Sequence, residues 1–297
     1  MENPFRILCA VDASRPAAAA FEQALAMSAR RGAQLVLVHA VSKDRPYSWH
    51  AVERVSALAV LRERAEDQNV SVRVRVQQGD AASVILLHAR AHAPGLIVLG
   101  SHEPVGLARF RFRSIADRVV KGAACPVLLI PAAHTHSTPV FRTIVCAIDL
   151  SPRSTEAIAN AAHLVEDRGR LVLLHVLQAS VPRQYARFSV PEFSRAMARD
   201  TRQRLHSILE AQNLESDVLV TDSANSVHDE ILHVASEIKA DLIVMGATRK
   251  AGLRRRLLGS TALRVSRSSH LPLLILPAVH VKRDLSPLDQ AVLGWAA

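Results

Sequence analysis

Cysteine is scarce in this chain: Cys9, Cys125 and Cys146 are its three, none forms a CxxC pair, and none shares a spacing with histidine that suits zinc. That pattern excludes a disulfide framework and a zinc finger. Each cysteine stands in or beside an apolar strand-like run, which reads as a buried free thiol in a reducing compartment. Long apolar runs are also missing, since none approaches the roughly eighteen residues of a membrane span, and no membrane association is expected. The opening FRILCAVD enters a strand pattern without the apolar segment and cleavage site of a secretory leader, so the expected address is cytoplasmic. The marks of catalysis are absent too: no Ser-His-Asp order, no paired acid and base, and no GxxxxGK(S/T) loop. His88/His92 and His228/His233 have no carboxylate or cysteine at metal-site spacing. Neither a metal site, a redox cofactor nor an enzyme is expected.

What is present is a repeat. LIVLG at 96–100 returns as LIVMG at 242–246, and Asp12, His39, Gly100 and Pro126 match Asp149, His175, Gly246 and Pro272 at offsets of 137, 136, 146 and 146. Offsets this constant belong to one duplication with a modest insertion. The expected organisation is a domain over 1–132, a linker over 133–140, a second domain over 141–278 and a tail over 279–297 that carries Ser286-Pro287 and Trp295. With 49% hydrophobic and 22% charged residues, each copy has the composition to bury a core.

The excess of 37 Lys+Arg over 27 Asp+Glu is spread over both copies, but residues 246–269 carry Arg249, Lys250, Arg254, Arg255, Arg256, Arg264 and Arg267 with no acid among them. That cluster faces either water or something anionic.

Each copy opens with a β-rich run ending in aspartate, then a serine and a proline. Ser14 with Pro16 and Ser151 with Pro152 are helix-start chemistry, and Gly32 and Gly169 are placed to stop the two helices. LVLVHAV at 35–41 and LVLLHVL at 171–177 are continuously apolar, as in strands covered on both faces. VSVRVRVQ at 70–77 alternates, with Val70, Val72, Val74 and Val76 on one face and Ser71, Arg73, Arg75 and Gln77 on the other, the pattern of an edge strand with one wet face. Five strands alternating with helices in each copy predict an α/β fold: two tandem doubly wound, Rossmann-like parallel sheets of order 3-2-1-4-5. Strands one and four then flank a crevice with Asp12 and Gly100, or Asp149 and Gly246, at their carboxyl ends.

A loop from a strand to a helix N-terminus cradles phosphate when glycines admit the backbone and a hydroxyl donates. GATRKAGLRRRLLGST at 246–261 has Gly246 and Gly259 at its ends, five cations between them, and Ser260 and Thr261 opening the next helix. Here the chain resembles the universal stress protein family, whose ATP-binding members carry Gly, two residues, Gly, nine residues, then Gly-Ser or Gly-Thr. Gly246, Gly259 and Ser260 fall on that motif in the second copy, with Arg249 at the middle glycine position. In the first copy Gly100 and Ser114 fall on it, but Glu103 and Arg113 replace the other two glycines. The resemblance implies that Asp149 holds the adenosine part of ATP and that the backbone of Val176 contacts adenine. Asp12 and Ala40 are the first-copy counterparts. Ser151, Met245 and Thr261 complete the candidate site of the second copy, and Ser14 that of the first; magnesium would accompany ATP.

Glu103 beside a triphosphate is repulsive and Arg113 would fill space the phosphates need, whereas Arg249 supplies a forked cation. The expectation is a non-enzymatic, stress-associated module whose second domain binds ATP as a sensor while the first serves as partner. By the resemblance, residues 126–130 and 272–276 are the strands that would pair, giving a pseudo-dimer within one chain, with a homodimer and an unknown protein partner open.

Simpler readings stand beside this one. Asp12 and Asp149 can cap a helix, His39 and His175 can be satisfied core histidines, and RFRFR at 109–113 can pack a loop rather than bind nucleic acid. A nucleotide-free scaffold, a basic nucleic-acid binder with steep salt dependence and a weak ATPase are the alternatives.

Overall fold

The two repeated pentapeptides become inner strands of a single sheet. The computed structural model describes residues 5–42, 50–101, 115–134, 140–178, 190–223, 226–247 and 259–277. The first half runs β1 (Arg6–Ala10), α1 (Arg15–Arg31), β2 (Gln34–Val41), α2 (His50–Asp67), β3 (Val72–Gln78), α3 (Ala81–His92), β4 (Leu96–Ser101), α4 (Ile115–Gly122) and β5 (Val127–Pro131). The second runs β6 (Phe141–Ala147), α5 (Pro152–Ala162), β7 (Val165–Gln178), α6 (Val190–Ala211), β8 (Asp217–Ser223), α7 (Val227–Glu237), β9 (Leu242–Gly246), α8 (Ser260–Ser268) and β10 (Leu273–Leu276).

The strands lie in the order β3-β2-β1-β4-β5-β10-β9-β6-β7-β8. Within each half all pairings are parallel and the order is the expected 3-2-1-4-5. The halves meet where β5 and β10 pair antiparallel, Val127 with Ile275, Leu128 with Leu274 and Leu129 with Leu273.

Apolar residues on both faces of the inner strands call for a helical layer on each side. Ile7 and Cys9 face the layer of α1, α2, α5 and α6, and Leu8 faces that of α3, α4, α7 and α8. Both layers run through the seam, because Leu128 and Leu274 belong to the first core, and Leu129 and Leu273 to the second.

Local chemistry follows the sequence in the first half more closely than in the second. Ser14 caps α1 by accepting from the Ala17 N–H at 3.3 Å, and Gly32 ends it at φ 61°, its own N–H bonded to the Ser28 carbonyl. Ser151 holds the matching position but makes no side-chain cap bond. Gly169 does not stop a helix. α5 ends at Ala162, and the chain enters the sheet early because the Phe141 N–H donates to the Leu164 carbonyl and Phe141 pairs with Val165, with the register shifting before Thr143. Gly169 sits inside β7 instead, where a Cβ would lie 2.9 Å from the Arg142 carbonyl oxygen; close backbone approach, not a helix end, requires the glycine.

β3 is an edge strand as read, but its faces are less clear-cut. Val72 and Val74 pack on the core, whereas Val76 is 52% exposed and Arg75 is half-buried against the α3 side. Of the three cysteines, Cys9 and Cys146 are fully buried and Cys125 is only half-buried, which corrects the expectation for that residue. Burial pushes the Cys146 thiol up to about 12 and Cys9 upward likewise. No helix among the described residues is long and apolar enough to cross a membrane.

Candidate functional site

The strand order reverses between β1 and β4 and again between β6 and β9, and a doubly wound sheet opens a crevice at such a point beyond the strands' carboxyl ends. In the first half Cys9 pairs with Val98, and β4 continues to Gly100. In the second, Ala147 pairs with Met245, directly before Gly246.

Asp149 is exposed at the mouth of the second crevice, and its Oδ1 accepts from the Ser151 N–H at 3.1 Å. Asp12 does the same with the Ser14 N–H at 2.8 Å and is also exposed. Each aspartate therefore braces the turn that leads into the helix, a role adjacent to the helix cap foreseen for it. One carboxylate oxygen is engaged by that bond.

The histidines do more than fill the core. His175 Nδ1 lies 2.8 Å from the Ile148 carbonyl, and His39 Nδ1 lies 2.8 Å from the Val11 carbonyl. A carbonyl only accepts, so Nδ1 carries the hydrogen in both rings. The same two residues donate their N–H groups to β2 and β7, Val11 to the Val38 carbonyl at 3.0 Å and Ile148 to the Leu174 carbonyl at 2.9 Å. The residue just before each aspartate is thus held on both sides of its peptide plane, and the histidine fixes where the aspartate points. Each ring finds a hydrogen-bond partner, as the sequence reading expected, while the carbonyl that each one meets was not foreseen; the signal was their identical placement one residue before Ala40 and Val176.

Val176 and Met245 are buried with their side chains in the α7–α8 core layer, which leaves only their backbone for any contact at the crevice. Ala40 is half-buried, in register with Gln77. The N–H of Ala247, which follows Gly246, donates to the Leu276 carbonyl at 2.9 Å. Gly259 occupies the N-cap of α8 with no side-chain bond to the first turn, no acid lies in that turn, and Ser260 is exposed with Thr261 half-buried beside it. The N-terminus of α8 offers N–H groups to an anion.

The first half differs at the same places. Asp117 lies in the first turn of α4. Gly100 has a structural use of its own, since a Cβ there would sit 2.4 Å from the Pro16 carbonyl carbon; the glycine lets the start of α1 pack over β4. Arg249, Lys250, Arg254, Arg255 and Arg256, with Glu103, Arg113, Ser114, the RFRFR segment, most of the linker and the tail beyond Pro277, lie outside the described residues. Among the described residues no group of three or more His, Cys, Asp or Glu side chains is placed to hold a metal. His228 is engaged locally, its Nδ1 2.6 Å from Ser226 Oγ.

The universal stress protein family model matches residues 5–131 and again 141–277. The chain belongs to the universal stress protein family. It is 30% identical to universal stress protein G of Escherichia coli O157:H7 over 141 residues, 46% of this chain and 99% of that protein. A universal stress protein from Archaeoglobus fulgidus has the same fold over 92% of this chain and 98% of its own, with a TM-score of 0.68 at 19% identity. A family protein from Arabidopsis thaliana solved with AMP bound matches 46% of this chain at 23% identity and a TM-score of 0.35. The tandem arrangement, two universal stress domains in one chain, agrees with the duplication read from the sequence.

Proposed function

We propose that the second domain, 141–278, binds an adenine nucleotide, ATP in the first instance, in the crevice between β6 and β9, and that the first domain, 1–132, serves as its structural partner. The observation that supports this most is the N-terminus of α8, where Gly259 makes no side-chain cap bond and no acid lies in the first turn, together with an aspartate beyond β6 braced by His175 and Ser151. Asp149 would hold the ribose hydroxyls, Val176 would meet adenine by its backbone, and the phosphates would lie on Gly246, Gly259, Ser260 and Thr261. Arg249 would add a cation at the phosphates, and magnesium would accompany them.

The first crevice supports the partner role. Its Gly100 is accounted for by packing against Pro16, and Asp117 in the first turn of its α4 is committed to the seam through Arg267. The reading is of a non-enzymatic sensor in the cytoplasm whose nucleotide state is read by a protein partner.

The test is calorimetric titration of MgATP into the intact chain and into Gly259→Arg, which reproduces the first domain's Arg113. Binding near one site per chain, lost in the variant, is the expected result. No heat from the unaltered protein would leave a nucleotide-free scaffold instead.

A further inference from the structure

We propose that the edge of the first domain formed by β3 and α3 is a binding site for a small oxyanion of the phosphate class, separate from the nucleotide crevice and independent of the reading given for it. Arg73 and Arg75 are in register with Val36 and Val38 of β2, whose side chains face the α3 layer, so both arginines leave β3 on that side. There α3 presents His88 and His92, one turn apart, with rings stacked at 5.7 Å and 8° between planes. Arg6 flanks the group and donates to the His92 carbonyl at 2.9 Å.

The charges in this cluster are all of one sign. Arg75 holds both imidazoles below their ordinary value, after the effect of burial, and Arg73 and Arg6 act on His92 in the same direction; no carboxylate acts on either ring. Arg75 donates to the carbonyl of its neighbour Val74. His88 Nε2 is buried with no hydrogen-bond partner among the described residues.

The second domain shows how this place packs with apolar side chains. Registered on the paired His39 and His175, Arg75 corresponds to Leu219; counted from the helix caps Asp80 and Ser226, His88 and His92 correspond to Val234 and Ile238. Those three are apolar and pack on the core. Where the second domain has an apolar contact, the first has two imidazoles and a guanidinium, which repel one another once protonated. An anion removes that repulsion, and forked guanidinium and imidazole N–H donors match a tetrahedral oxyanion. A divalent metal would meet the arginines as like charge. Arg6 and His92 lie at the amino ends of the strands and Arg75 stands level with Ala10; the cluster is set apart from the crevice by its place on the β3 edge of the sheet, with two strands between it and β4.

The test is an NMR titration of the imidazole signals of the full chain against pH, in inorganic phosphate and in chloride at equal ionic strength, with exposed His206 as control. Phosphate is expected to raise the midpoints of His88 and His92 by about half a pH unit or more, to leave His206 in place, and to do neither in Arg75→Leu. Midpoints that move no more than that of His206, or that move equally in Arg75→Leu, would overturn the proposal. Should Arg75→Leu fail to fold, His88→Val with His92→Ile copies the second domain's own packing. Equilibrium dialysis should then show loss of one bound phosphate per chain, and undiminished phosphate binding would refute the site.

Discussion

Removing Arg267 should loosen the joint between the two domains by a measurable and bounded amount. Its Nη2 donates to Asp117 Oδ2 at 2.6 Å, joining α8 to α4 across the seam. The carboxylate is 3% exposed and the guanidinium 47%. Taking one partner from a fully buried pair costs about 3–5 kcal/mol. Here the arginine is half in water and Asp117 has a further interaction, so about 1–2 kcal/mol is the reasoned cost of Arg267→Met. At about 2–4 °C per kcal/mol for a chain of this size, Tm should fall by roughly 2–8 °C. Asp117→Leu is not arbitrary, because an offset of 146 places Leu263 at the twin position, packed on the core, and Lys121 opposite Arg267. The double variant, which leaves no uncompensated carboxylate, should be more stable than Arg267→Met alone. A double-mutant cycle by thermal and urea unfolding would refute the reasoning if the coupling were below about 0.3 kcal/mol, or if the two losses simply added.

His175→Ala should weaken ATP binding about tenfold by releasing the Ile148 carbonyl that orients Asp149, while costing stability about 1–2 kcal/mol for the unpaired carbonyl; calorimetry and urea unfolding separate the two effects. Gly100→Ala should destabilise the chain by about 1–3 kcal/mol through the contact with Pro16, seen as a lower urea midpoint. His88, His92 and His163 are all held below the ordinary value of 6.5, mainly by burial and then by nearby arginines. The unfolded chain therefore takes up protons first, so their effect on stability is nil above about pH 7 and stability declines as pH falls below 6.5 through the folded values. Urea midpoints that stay flat from pH 7.5 to 5.5 in chloride buffer would contradict this assignment.

The fold was legible because its signals are local and repeated. Continuous apolar runs at 35–41 and 96–100 mark strands covered on both sides, and two copies of one pattern fix the topology by the handedness of the crossovers. What escaped notice was of two kinds. Gly169 looks like a helix stop because a glycine after a helical stretch so often is one; that the strand begins before it depends on Phe141, a residue distant in sequence, drawing Val165 into the sheet. The function of His39 and His175 depends on which carbonyl each ring faces, and no spacing rule reveals a partner 28 or 27 residues away. The neighbouring carboxyl ends of β1 and β4, and of β6 and β9, were legible because the topology alone brings them together.

The antiparallel seam has a consequence for assembly. Val127 to Ile130 and Leu273 to Leu276, the two uncharged apolar strands at which a single domain would add a neighbour, are already spent on each other. The strands left at the rims are β3, with Arg73 and Arg75, and β8, with Asp217 and Asp222. Charged rims resist further sheet growth, which disfavours the edge-to-edge addition of a second molecule of this chain at β3 or β8. The same seam turns the two crevices toward opposite ends of the molecule, and the halves are joined between them by the β5–β10 pairing, the Asp117–Arg267 bond and the core layers that continue through the seam.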